Sequence, residues 1–111
     1  MNAITKLEIL LKQGPIIDQE MADLIPFYLN NVKLDRDNLR SSVSSKDFDG
    51  IKRTAHRIKG SALSYGFEAI DLLMREIETA CSDKNIDEAE KRFSEFCNHL
   101  EQIEKITPLA K

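Results

Sequence analysis

The stretch Ile51-Lys-Arg-Thr-Ala-His-Arg-Ile-Lys-Gly-Ser-Ala62 combines a helical apolar repeat with one histidine, His56. At 100° per residue the centre of the repeat lies about 120° from His56 around the helix. The spacing therefore predicts an imidazole that faces solvent or a partner. The apolar residues recur at alternating spacings of three and four, as expected of a helix packed on one side; they are Phe48, Ile51, Ala55, Ile58 and Ala62.

The face of the predicted helix that carries His56 also carries cations and a glycine. Gly60 lies one turn beyond His56, at a helical position where glycine costs about 1 kcal/mol relative to alanine. A bare backbone at this point indicates a need for room beside the histidine. The other residues that share this face are Lys52, Arg53, Lys59 and Leu63.

Apolar periodicity on both sides of this stretch predicts an antiparallel four-helix bundle with an additional short N-terminal helix. The short helix is expected to end at Gly14-Pro15. Pro26 either kinks the next helical segment or lies in the first turn of a new helix. Ser44 or Ser45 is expected to cap the histidine helix. We therefore predict a helical cap over about residues 2–25 and the bundle over about residues 26–107.

Gly66 predicts a sharp corner after the histidine helix, because glycine tolerates the backbone of a tight reversal. A connection this short makes the two flanking helices antiparallel neighbours. The second of these helices is therefore expected to return residues near Glu78 alongside the turn that carries His56. Asn85 and Glu88 then form an N-terminal capping pair for the last helix.

The composition suits a single all-α domain over residues 1–111, since 41% hydrophobic and 32% charged residues accompany few Gly, Pro and aromatics. The net charge of −3 argues against general nucleic-acid binding. No apolar run approaches the roughly 20 residues of a membrane span, so no membrane insertion is expected. We expect a cytoplasmic monomer with reduced Cys81 and Cys97. These cysteines, with His56 and His99, do not form a metal-binding spacing.

The string His56-Arg-Ile-Lys-Gly-Ser-Ala62, followed by Gly66, resembles the histidine-containing phosphotransfer (HPt) domain. The Tyr65-Gly66-Phe67 corner and the segment Leu24-Ile-Pro-Phe-Tyr-Leu29 are also similar to that family. The resemblance implies a four-helix bundle whose exposed histidine accepts a phosphoryl group from a receiver-domain aspartate and passes it to another receiver. By this resemblance His56 is the phosphorylated residue, and Ser61 and Gly66 are structural residues of the motif.

Glu78 is a departure from the family pattern, because some members place a glutamine at this position to hydrogen-bond the imidazole. Its carboxylate could orient His56 by accepting a ring N–H, yet it would repel an incoming phosphoryl group. Phosphoryl transfer depends mainly on alignment and on neutralising charge on the non-bridging oxygens. Lys59, about one turn from His56, is therefore the candidate for stabilising that charge.

The cations around His56 are expected to complement the acidic pocket of a receiver. The residues predicted to dock a partner are Lys52, Arg53, Arg57, Gly60 and Leu63. The expected partners are receiver domains of response regulators and hybrid histidine kinases. By the resemblance, Mg²⁺ would be held only by the receiver, so no cofactor is expected in this chain.

The sequence contains neither the Gly-rich nucleotide loop nor the acidic metal cluster of a kinase. We therefore expect a covalent phosphocarrier without ATP-dependent kinase activity. Two alternatives stay open. One is the phosphoacceptor module of a chemotaxis-type histidine kinase, and the other is a helical adaptor that binds receivers without accepting phosphate.

Overall fold

The computed structural model describes residues 3–13 and 19–106. Within these ranges the helices are α1 (Ala3–Gln13), α2 (Ile25–Ser44), α3 (Phe48–Ala62), α4 (Glu68–Ser82) and α5 (Ile86–Ile106). Two short 3-10 segments, Gln19–Leu24 and Leu63–Tyr65, lie before α2 and after α3. The expected stop at Gly14-Pro15 lies outside the described residues.

Helices α2 to α5 form the predicted antiparallel four-helix bundle, in which α3 packs most extensively on α4. Near the start of α3, Lys52 contacts Ser82, which is the last residue of α4. In the first half of α2, Lys33 pairs with Glu104 near the end of α5 at 3.4 Å. These contacts require opposite chain directions in each helix pair. The all-α bundle expected from the sequence is thereby confirmed.

One apolar core connects all five helices and extends from Leu7 to Ile103. Burying a large aliphatic side chain stabilises the fold by about 1.5–3 kcal/mol, so the core fixes the rotation of each helix. The stripe predicted for α3 faces this core, with Phe48 partly buried and the others fully buried, namely Ile51, Ala55, Ile58 and Ala62. The opposite face of α3 is consequently left outside the core.

Helix α3 begins after Asp47, and the prediction of a serine cap was wrong. Asp47 has a non-helical backbone, and its Oδ1 accepts a hydrogen bond from the Gly50 N–H at 3.1 Å. Ser44 is still the last helical residue of α2. The Ser45 hydroxyl donates backwards to the carbonyl of Ser41 at 3.0 Å. Both serines therefore finish α2, which leaves Asp47 as the first polar side chain free to cap α3.

The corner between α3 and α4 is built on Gly66, whose φ of 87° lies in the left-handed region. The Gly66 N–H donates to the carbonyl of Leu63 at 3.1 Å, and the Phe67 N–H donates to the carbonyl of Ala62 at 2.9 Å. Phe67 is then fully buried and stacks on Tyr28 with ring centroids 5.1 Å apart. Because glycine adopts a positive φ without Cβ strain, the corner forms where the sequence predicts it.

Helix α1 packs against α4 and joins the core through Leu7, which is 1% exposed. An ion pair between Lys6 Nζ and Glu68 Oε1 at 3.4 Å also links the two helices. Pro26 lies in the first turn of α2, which is one of the two positions that the sequence left open. The contacts of the N-terminal helix with the bundle thus include a buried leucine, the partly buried Leu11 and an exposed charge pair.

Candidate functional site

His56 projects from the middle of α3 with 74% of its side chain exposed. Its neighbours Ala55 and Ile58 are buried in the core. The packing of the apolar stripe therefore turns the imidazole outward, as the spacing predicts. A partner can therefore reach the ring from solvent.

Two side chains lie beside His56 where α3 packs on α4. Glu78 Oε2 is 3.7 Å from His56 Nδ1, and Glu78 Oε1 is 2.7 Å from Lys59 Nζ. The Glu78 and Lys59 side chains are only 21% and 23% exposed, so solvent shields this charge pair less than a fully exposed one. The Gly66 corner causes this arrangement, because it returns α4 alongside the exposed turn of α3.

The other cations near His56 do not make a purely positive surface. Arg57 donates to Asp35 on α2, with Nη2 and Oδ1 2.7 Å apart. Lys52 Nζ donates to Ser82 Oγ at 3.3 Å, and Arg53 is exposed. The expectation of a cationic face rested on residues 51–62 alone. It needs correction, because α2 and α4 each add a carboxylate that only the fold brings to this face.

The surface next to His56 is open. A side chain added at Gly60 would meet no described atom within 4 Å, and Leu63 is 52% exposed. The Ser61 hydroxyl is used locally, since it donates to the carbonyl of Ile58 at 3.4 Å. The geometry therefore allows another backbone to approach the imidazole over the glycine.

Comparison with known proteins decides the family. The sequence model of the Hpt domain matches residues 7–106. The chain belongs to the Hpt domain family. It is also 30% identical over 84 residues to the phosphorelay intermediate protein rdeA of Dictyostelium discoideum. That match covers 76% of this chain and 33% of the relative, so the chain spans about a third of the relative's length. No solved structure matches the chain significantly.

Hpt domains are helical bundles that carry phosphoryl groups and are not kinases. The family suggested by the string from His56 to Ala62 is thereby confirmed. The family match covers the described part of the bundle, including all of α3 and α4. The histidine, its neighbouring carboxylate and the lysine therefore lie inside the matched region of this Hpt domain.

This Hpt domain also exposes apolar residues that the sequence analysis did not assign to the site. Phe27 and Leu34 on α2 are each 64% exposed. Phe27 lines a groove of about 220 Å³ between α2 and the end of α3, together with Asp35 and Ser61. The two residues are seven positions apart and off the buried stripe of α2. A spacing of seven places both residues on one face of the helix, so the sequence could have indicated a second, exposed apolar face.

In the described ranges of the Hpt domain, no cluster of three or more His, Cys, Asp or Glu residues is placed to hold a metal ion. Cys81 and Cys97 are free thiols, and burial raises the pKa of each. Each thiol therefore keeps its proton near neutral pH. Of the helices in these ranges, none is long and apolar enough to cross a membrane.

Proposed function

We propose that this chain is a histidine phosphotransfer protein of a His-Asp phosphorelay. In this proposal His56 accepts a phosphoryl group from a receiver-domain aspartate and passes it to another receiver. The observation that carries the proposal is an exposed imidazole with Glu78 at its Nδ1 and Lys59 paired to the same carboxylate. Membership of the Hpt domain family and the similarity to a phosphorelay intermediate protein support it.

The proposed step is attack by an imidazole nitrogen of His56 on the phosphorus of an aspartyl phosphate. The N–P bond forms while the bond from phosphorus to the aspartate oxygen breaks, and the aspartate leaves as a carboxylate. A carboxylate 3.7 Å from Nδ1 favours the tautomer that carries its proton there. The lone pair is then on Nε2, which is the nitrogen free of Glu78. Transfer to the next receiver reverses these bond changes.

Lys59 is the proposed stabiliser of the phosphoryl charge. Its ammonium already lies beside a carboxylate on the His56 face, 2.7 Å from Glu78 Oε1. A lysine side chain is flexible, so a small movement can exchange this anionic partner for a phosphoryl oxygen. Glu78 would thus position both the imidazole and the lysine before the phosphoryl group arrives.

We assign the surface around His56 as the docking face for receivers. Its apolar part includes Phe27 and Leu34, which are both largely exposed. Exposed apolar side chains surrounded by charge are typical of protein-binding surfaces. The docking residues predicted from the sequence complete this face, namely Lys52, Arg53, Arg57, Gly60 and Leu63. We propose receiver domains of response regulators and hybrid histidine kinases as the partners.

The chain in this proposal is a monomeric, cytoplasmic carrier that is modified and demodified. It has no kinase activity of its own, because the phosphoryl group comes from a receiver. Any Mg²⁺ that the exchange requires is held by the acidic pocket of the receiver. The carrier itself then needs no cofactor.

The test compares His56→Gln with His99→Leu, a matched histidine substitution on a different helix. Each protein is mixed with a receiver carrying labelled phosphate, and acid-labile label on the carrier is measured. We expect label on the wild type and on His99→Leu and none on His56→Gln, which should still bind the receiver. Circular dichroism checks that each variant is folded.

Label retained by His56→Gln would refute the assignment of the acceptor. A wild type that binds receivers but never takes label would indicate the adaptor. Labelling by an ATP-binding kinase domain but by no receiver would indicate the chemotaxis-type module. Each outcome therefore selects one of the three interpretations.

A further inference from the structure

A second histidine lies in a cavity far along the sequence from the proposed acceptor. The cavity has a volume of about 290 Å³ and lies between the C-terminal end of α1 and the middle of α5. The residues that line it are Leu11 and Lys12 from α1, and Glu95, Asn98, His99 and Gln102 from α5. It is therefore a contact region between the N-terminal helix and the bundle.

His99 is a buried polar residue. Its relative exposure is 3%, and among the residues that the structure describes neither Nδ1 nor Nε2 has a hydrogen-bond partner. Leaving a buried polar group unsatisfied costs about 1–3 kcal/mol, so such groups are rare and need an explanation. The proposed phosphoryl transfer does not use this residue.

The charges that face the cavity offer no compensation for a second positive charge. From α1 the titratable group is Lys12, a cation. From α5 it is Glu95, whose carboxylate is already bound by the buried Arg92 at 2.6 Å. Arg92 also holds Glu88 at 2.9 Å on its other side. A protonated His99 would therefore be buried beside a cavity whose described lining offers it no unpaired carboxylate.

We propose that His99 is a proton-sensitive latch, which lets α1 stay packed on the bundle while neutral and releases α1 when protonated. Helix α1 has only 11 residues, so its stability depends on packing against the bundle. Its described attachments include Leu7 in the core, Leu11 packed against the core, and the exposed pair Lys6–Glu68, which contributes little on its own. A change of charge at the cavity between α1 and α5 therefore acts on a short helix that cannot persist without its packing.

The direction of the pH effect follows from burial, which lowers the pKa of His99. Once α1 is released, the imidazole reaches water and titrates near its ordinary value of about 6.5. The released form then binds more protons than the closed form below that pH. Packing of α1 is consequently fully stable above about pH 6.5 and weakens as the pH falls.

Release of α1 would also change the proposed docking face, and this step rests on the proposed function. Lys6 lines a second cavity, of about 350 Å³, together with Leu63, Leu72 and Arg75. Leu63 is one of the predicted docking residues. Release of α1 therefore removes the side of this cavity that Lys6 forms next to Leu63. Acid pH would in this way change the binding of receivers.

The test measures hydrogen–deuterium exchange by mass spectrometry at about pH 7.5 and about pH 5.5, corrected for the intrinsic rate. In the wild type we expect protection of α1 to fall up to about tenfold at the lower pH, because a released histidine is then about nine-tenths protonated. Protection of α4 should change less. His99→Leu, which cannot be protonated, should show the same α1 protection at both pH values.

Equal α1 protection at both pH values in the wild type would overturn the latch. So would an equal pH-dependent loss in His99→Leu. If that variant does not fold, the wild type alone decides, because NMR of the His99 ring must show titration together with the α1 amides. Exchange requires no phosphoryl transfer, so failure of the latch and failure of the phosphocarrier assignment are distinguishable.

Discussion

The two histidines of this chain occupy opposite environments in one helical bundle. The side chain of His56 is 74% exposed and lies 3.7 Å from a carboxylate, whereas His99 is 3% exposed and without hydrogen bonds among the described residues. Both are on long amphipathic helices. The difference shows that the rotation of the helix, set by the core, decides whether an imidazole is available to a partner or excluded from water.

The two regions also differ in how their charges are shared. Around His56 the ion pairs join different helices, as in Lys59–Glu78 and Arg57–Asp35. Near His99 the ion pairs of Arg92 lie within α5. Charges paired across helices can be exchanged when a partner docks. Among the described residues, the carboxylate that lines the cavity of His99 is already paired with Arg92 of the same helix.

The strongest test of this comparison after replacing His56 itself is Lys59→Ala. If Lys59 stabilises the phosphoryl charge, its removal should slow transfer from a receiver by about a hundredfold, as loss of one transition-state donor does. Stopped-flow or rapid-quench transfer assays measure the rate. Lys52→Ala is the matched control, because Lys52 lies on the same face and is hydrogen-bonded to Ser82. Equal effects of the two substitutions would contradict a specific role for Lys59.

A smaller effect is expected at Gly60, which has open space beside it. Gly60→Leu should slow transfer about tenfold by blocking close approach, while Gly60→Ala should stabilise the fold by about 0.5–1 kcal/mol, as removing a helical glycine does. Chemical denaturation and transfer rates are measured together. A wild-type transfer rate in Gly60→Leu would show that close approach of the partner does not require open space at Gly60.

Gly50 provides the contrasting glycine on the same helix. A side chain there would come within 2.9 Å of Asp47 Cγ and 2.8 Å of Ser42 Oγ. Gly50→Ala should therefore disturb the Asp47 cap and lower stability by about 1 kcal/mol. Its effect on transfer should be small, because Gly50 lies at the start of α3 and not beside the imidazole.

The smallest expected effect is at Glu78. Glu78→Gln keeps a hydrogen-bond acceptor near Nδ1 but removes a negative charge that repels phosphate and holds Lys59. Two unit charges about 4 Å apart in water interact by about 1 kcal/mol, and a phosphoryl group on Nε2 lies farther than that from Glu78, so acceptance of phosphate should become at most about fivefold faster. Glu90→Gln on α5 controls for net charge. Slower acceptance in Glu78→Gln would mean that orientation by the carboxylate outweighs repulsion.

Much of the bundle was predictable because local patterns and the core agree. The corner at Gly66 was predicted from the sequence alone, because glycine adopts a positive φ, here 87°, without strain. The N-cap of α3 was not predicted correctly, because the choice among Ser44, Ser45 and Asp47 depends on the residue at which α2 ends. The ion pair Arg57–Asp35 could not be predicted from the sequence either, since the two residues are 22 positions apart and belong to different helices.

By itself the sequence determined the helical class, the outward direction of His56 and the motif that marks the family, because these follow from periodicity within one helix. Only the tertiary structure decided which charged side chains lie next to His56 and whether His99 is exposed or buried. The physical reason is that periodicity fixes the face of a helix, whereas ion pairs and burial depend on the register between helices. That register is set only when the whole core packs.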